Sequence, residues 1–253
     1  MRLAILLFGQ PRRYEEGYKY LSTFLSQQKN VEVDFFYHCW TLNQGEVFSN
    51  SPYRKISQQE LVYTTGVEEA LLALYKPVAY EYEFTKDFDI TPYKTTLGYK
   101  NTLSNPTKIK NCKNVLSQLY SRNKVRTLFM EYIQKTQLQY DFVCMTRFDL
   151  TFSPTVDLAV LDPSKVYVSN LYSPRRKILP DLFILMSQSV CIQWLSLYDD
   201  LKKIIDTPSL LKEVQTLGET IDINTEELIL AKYILEFKSV KNVVYHSGIK
   251  GCL

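Results

Sequence analysis

The sequence predicts an α/β domain in which a mostly parallel central sheet is flanked by helices. Three observations carry that expectation. Leu3–Phe8 is an apolar run that breaks at a glycine-containing turn and gives way to helical spacing, the order of an opening strand–helix unit. Phe142-Val143-Cys144-Met145 is apolar at every position, too short for a helix and bounded by polar residues, as in a strand buried on both faces of a parallel sheet. The length of 253 residues and the 45% apolar fraction suit one large domain with a full core, or one with an appended helical piece.

Leu3–Phe8 is the first strand and Gly9-Gln10-Pro11-Arg12-Arg13 the turn that follows. Within Tyr14–Gln27, Tyr18, Leu21 and Leu25 recur at helical spacing. Free backbone amides at a helix N-terminus can hold phosphate there, and Arg12 or Arg13 can add a bidentate contact. A tight turn with solvated arginines is the plainer alternative. Val31–Tyr37 reads as the second strand, ending in His38-Cys39-Trp40. Trp40 is expected to close over the sheet, and His38 to be either a catalytic base or a structural histidine. Gln58–Leu74 reads as a helix and Val78–Phe84 as a half-exposed strand. Asp87-Phe88-Asp89 matches the metal-binding Asp-x-Asp pattern by letter, but no buried strand feeds it, so it reads as coincidence. Pro92–Cys112 has no apolar period and reads as a long loop.

Asn114–Gln134 carries the clearest helical stripe, Val115, Leu119, Phe129 and Ile133. Its polar side, with Gln118, Ser121 and Arg122, either borders a ligand site or faces solvent. The helix leads into the strand Phe142–Met145, which stops at Arg147-Phe148-Asp149. Side chains two apart on a strand share a face, so Arg147 and Asp149 should project together where the strand leaves the core. Ligands of open α/β sheets collect at the carboxyl ends of strands. The pair therefore points to a charged ligand such as a diphosphate, with or without a metal, or to an ion pair capping the strand. Farther on, Lys165–Ser169 and Leu179–Met186 read as strands, with Asp181 opening the second and a basic turn at Arg175–Lys177 before it. Val190–Ile205 and Glu226–Phe237 read as helices, and Val240–Tyr245 as the last strand.

A net charge of +3 with scattered Lys and Arg gives no reason to expect nucleic acid. The 19 Tyr and 13 Phe suit sugar and base stacking, although aromatic residues also fill cores. Five cysteines, with no two in a CxxC pair, suggest reduced thiols in a cytoplasmic protein. The apolar core of the N-terminus is short for a signal peptide, and no window reaches the roughly 20 apolar residues of a membrane span.

Four stretches resemble glycosyltransferases of the GT-A type, a Rossmann-type α/β fold, and in particular the small enzymes found among large-virus and bacterial surface-glycan genes. They are ILLFGQPRR, VDFFYHCW, the helix and strand NVLSQLYSRNKVRTLFMEYIQKTQLQYDFVCMTRFDLTF, and PDLFILMSQSVC. The ending HSGIKG is loosely similar to the His-x-x-Gly-x-x-Lys ending of glycogenin-like transferases, with shorter spacing. The resemblance implies a single domain over 1–253, with 1–150 the nucleotide-binding half and 151–253 the acceptor-side half. It implies hexosyl or deoxyhexosyl transfer from a nucleotide-diphosphate sugar to a glycan acceptor, in the host cytoplasm if the protein is viral. Mn²⁺ or Mg²⁺ would assist as a Lewis acid. On that pattern Asp149 and His246 are the metal ligands, and Lys250, Gly9, Gln10, Arg12, Arg13, Gln118, Arg122 and Arg147 line the donor. Asp181, then Glu226, is the base that an inverting enzyme requires. Arg147 stands where the pattern has its first Asp, which puts strict metal dependence in doubt.

Two other classes compete. A sugar-nucleotide nucleotidylyltransferase also uses an N-terminal turn with Arg, but normally with several glycines for backbone approach to phosphate. A non-catalytic glycan- or nucleotide-binding domain would account for the missing first Asp.

Overall fold

The computed structural model describes residues 1–48, 62–93, 106–169, 179, 182–194, 196–207, 232, 236–237 and 241–249. In chain order the elements are β1 (Arg2–Gly9), α1 (Tyr14–Ser26), β2 (Glu32–Thr41), α2 (Val67–Tyr75), β3 (Ala79–Phe84), α3 (Pro106–Thr136), β4 (Phe142–Arg147), β5 (Val166–Ser169), β6 (Phe183–Met186), α4 (Gln188–Trp194), α5 (Leu197–Ile205) and β7 (Val243–His246). The strands form one seven-stranded sheet in the order β3-β2-β1-β4-β6-β5-β7. All neighbours are parallel except the two pairings of β6, which runs against β4 and β5. The α/β architecture expected from the sequence is therefore present.

Strict alternation along β1 divides the core in two. Ala4, Leu6 and Phe8 pack against α3 together with Val143 and Met145 of β4. Leu3, Ile5 and Leu7 pack on the opposite face with Leu21 and Phe24 of α1 and Leu71 and Tyr75 of α2. An unbroken apolar run is what a strand covered on both faces requires. β1 feeds β2 on one side through α1, whereas β4 lies on its other side. The strand order reverses there, so the crevice for a ligand falls at the carboxyl ends of β1 and β4. Phe8 is level with Arg147 across the ladder, so the turns after both strands emerge side by side.

Several boundaries differ from the sequence reading. α3 begins at Pro106, inside the stretch expected to be a loop. Proline suits the first turn of a helix, and Ile109, Cys112 and Leu116 recur on one face against the core, although intervening lysines hide that period. Of the expected helix Gln58–Leu74, residues 58–61 lie outside the described residues, and within 62–74 the helix starts at Val67, after Gly66 in the left-handed region (φ 85°). β2 continues through His38-Cys39-Trp40 to Thr41. The expected helix Val190–Ile205 is two helices, because the Ser196 carbonyl accepts the amides of Asp199 and Asp200 and starts a new one. Ser196 starts this helix through its carbonyl alone, its Oγ lying within hydrogen-bond reach of the Gln193 carbonyl and Asp200 Oδ2 and making no side-chain cap. The basic turn Arg175–Lys177 and most of Glu226–Phe237 lie outside the described residues. Cys39, Cys112, Cys144 and Cys191 are buried and unbridged. Among the described residues no helix is long and apolar enough to cross a membrane.

One close approach sets the position of α1. A Cβ on Gly17 would lie 1.7 Å from the carbonyl oxygen of Phe148. Glycine thus lets the first turns of α1 rest directly on the turn after β4. Overpacking of this kind costs about 1–3 kcal/mol, so Gly17→Ala is expected to lower the free energy of unfolding by at least that amount in urea titration. An unchanged transition would show that α1 is not seated on Phe148.

Candidate functional site

The turns after β1 and β4 meet through three charged side chains. Arg147 donates Nε to Asp149 Oδ1 and Nη2 to Oδ2, both at 2.8 Å. Arg12 donates Nη2 to the same Oδ2 at 3.2 Å. Asp149 is only 1% exposed and Arg12 7%. The side chain of Arg147 is 19% exposed. Local sequence explains the arrangement. Phe148 turns into the core and meets Tyr37 and Tyr75 edge-on, with ring centroids 5.7 and 5.8 Å away. Anchored there, it leaves Arg147 and Asp149 together on the other side, as their spacing predicted. On the β1 side, Gly9 takes a φ of 98°, a conformation that favours glycine. Arg13, at φ 50°, precedes the first turn of α1 and pairs with Glu16.

Beside this cluster runs a buried polar chain that begins at the same turn. The Gly9 amide donates to Ser121 Oγ of α3 at 2.8 Å. Ser121 Oγ lies 2.7 Å from His38 Nδ1, and His38 Nε2 lies 3.3 Å from Glu83 Oε2. Glu83 also accepts from Tyr120 and Lys86. Burial opposes ionisation of Glu83, but its bonds from Lys86, Tyr120 and His38 prevail and hold its carboxyl below the usual range. A carboxylate can only accept, so Nε2 of His38 carries the proton and Nδ1 accepts from Ser121. Burial pushes the His38 imidazole down to about 4, with Glu83 and Glu81 offsetting only part of the effect. His38 is thus a neutral structural histidine that fixes α3 to the Gly9 turn, the plainer of its two sequence readings. Ser121 was recognisable in the sequence only as one polar residue on that side of the helix.

The remaining sequence candidates divide. Arg122 is buried with its guanidinium carbon 4.8 Å from the centre of the Phe8 ring, so it belongs to the same carboxyl edge. Gln118 lies one turn earlier on α3 and is half-buried, and Gln10 lies in the turn itself. His246 ends β7, three places from β4 in the sheet, where its Nδ1 accepts the Gly248 amide at 3.0 Å. Asp181, Glu226 and Lys250 lie outside the described residues. Asp87 pairs with Lys113 and Asp89 accepts the Thr91 amide, so the Asp-x-Asp letters there serve local structure.

The metal implied by the resemblance finds a poor setting at Asp149. Both carboxylate oxygens already accept from guanidiniums. Unit charges 4 Å apart interact by about 4 kcal/mol at an effective dielectric of about 20, so a divalent ion beside two arginines meets a repulsion that the single carboxylate of Asp149 offsets only in part. Among the described residues no three His, Cys, Asp or Glu side chains come together in a way that could hold a metal. Within that described set, the surroundings of Asp149 fit guanidiniums and not a divalent cation.

No protein-family model matches this chain, and no curated protein matches it either.

The polar chain makes a pH prediction. An unfolded imidazole takes up its proton near 6.5 and folded His38 near 4. Between those values the unfolded state binds more protons, so stability falls as pH falls. Wild type is expected to lose about 3 kcal/mol from this group between pH 6.5 and 4, a loss absent from His38→Gln. Urea unfolding at several pH values measures it, and equal slopes for both proteins would refute a neutral buried His38.

Proposed function

We propose that the protein is a glycosyltransferase that moves a sugar from a nucleotide-diphosphate donor to a glycan acceptor. One observation carries the reading: Arg12 and Arg147 gather about Asp149 at the carboxyl ends of β1 and β4, where the strand order reverses. In sugar transfer the bond from the anomeric carbon to the diphosphate oxygen breaks, and negative charge builds on the departing diphosphate. Donors held in place before that charge develops stabilise the transition state most effectively. Guanidiniums fixed by a buried carboxylate are donors of this kind. The sequence resemblance points to the same chemistry. Asp181, with Glu226 second, is the proposed base for the acceptor hydroxyl. The chain enters β6 through Leu182, whose carbonyl accepts from Thr146 Oγ of β4 at 2.7 Å.

The test pairs binding with turnover. A panel of nucleotide sugars is incubated with the protein, with and without glycan acceptors, and release of nucleoside diphosphate is followed. One nucleotide family is expected to raise the melting temperature by mass action and to be consumed. Arg147→Met is expected to slow release by roughly 10²-fold or more. Pyrophosphate release from a nucleoside triphosphate and a sugar phosphate would instead identify a nucleotidylyltransferase. Binding without turnover of any donor would identify a binding domain.

A further inference from the structure

We infer that the site binds the diphosphate of its donor through arginine without a divalent cation, and that Asp149 is a positioning residue for two guanidiniums. The inference rests on the donor-binding reading above and specifies how the charge is recognised. Its basis is how the carboxylate is used. A carboxylate offers roughly four acceptor positions. At Asp149 at least three are taken, by Nε and Nη2 of Arg147 and by Nη2 of Arg12. Two of the three arrive as a fork from one guanidinium, which fixes its plane as well as its distance.

The depth of the carboxylate argues the same way. Asp149 is 1% exposed, whereas part of the Arg147 side chain reaches solvent. A hydrated cation approaching the crevice meets guanidinium first, and Mg²⁺ sheds its water reluctantly. To reach Asp149 it would have to displace one arginine and remain beside the other. An anion is instead attracted by the same guanidiniums. Asp149 takes two of the five N–H donors of Arg147, and its hold on the guanidinium orients the rest of the fork. Arg122, over the ring of Phe8, adds a further cation at the same edge, and Phe8 is the ladder neighbour of Arg147.

The test is calorimetric titration of the full chain, stripped with chelator, with inorganic pyrophosphate and a panel of nucleoside diphosphates. Each titration is run in EDTA and again in millimolar Mn²⁺ or Mg²⁺. The expected result is a nucleoside diphosphate bound with the same affinity in all buffers. Arg147→Lys keeps the charge and loses the fork, so it is expected to weaken that affinity roughly 10- to 100-fold. Asp149→Asn is expected to weaken binding in EDTA and in Mn²⁺ alike, because orientation of the arginines is what it removes. Unfolding transitions without ligand are recorded for each variant, and the wild-type comparison between buffers decides without any variant. Affinity that appears only with Mn²⁺ or Mg²⁺ and disappears in Asp149→Asn overturns the inference and leaves donor binding standing. Absence of binding to every diphosphate in every buffer overturns both.

Discussion

Asp149 holds a buried negative charge against two positive ones, and the geometry of the crevice depends on that balance. A carboxylate removed from water costs several kcal/mol unless it is paired and hydrogen-bonded. Arg12 and Arg147 supply the pairing, and Asp149 in turn makes their own burial tolerable. The three residues come from two turns far apart in sequence, brought level by the β1–β4 ladder. Ion clusters of this type often add little net stability compared with an apolar core of equal volume, yet losing one member strands the others. At this position, geometry is the benefit that remains.

The two ends of the sheet handle polar groups differently. At the amino ends, Arg2 pairs with Glu32 at the surface. Exposed pairs of this kind contribute little. At the carboxyl ends, the arginine cluster and the Gly9–Ser121–His38–Glu83 chain are largely buried, with Arg147 and Glu83 at their partly exposed ends, and are joined through the Gly9 turn. Satisfied buried networks hold a unique arrangement more firmly than the sum of their bonds suggests.

How far the sequence was legible follows from what each signal depends on. Leu3–Phe8 and Phe142–Met145 were readable as buried strands because covering both faces of a strand demands an unbroken apolar run, which is a local property. The Arg147–Asp149 pair was readable because alternation along a strand is local too. Burial of Ser121 and Arg122 was not, since it depends on which face of α3 meets the carboxyl ends of β1 and β2. Arg12 illustrates the same limit: its position in a turn suggests a phosphate contact or a solvated arginine, and its bond to Asp149, 137 residues away, is not visible in the local sequence. The start of α3 was missed because lysines dilute the period of Ile109, Cys112 and Leu116, and the break at Ser196 because it lies inside a continuous apolar stripe and is made by backbone bonds alone.

The β1–β4 ladder also bears on how the chain reaches this state. Leu3 pairs with Phe142, so one edge of β1 waits for a partner made 139 residues later in the chain. At about 5–20 residues per second, that wait is on the order of ten seconds on the ribosome. Through that interval, six consecutive apolar residues, Leu3–Phe8, present an unsatisfied strand edge. Open edges of this kind template association between chains. Long-range parallel pairing is slow for the same entropic reason. Among the described ladders, the one that builds the crevice is thus also the longest exposure of a strand edge to aggregation, and protection of β1 by a chaperone would shape the yield of folded protein.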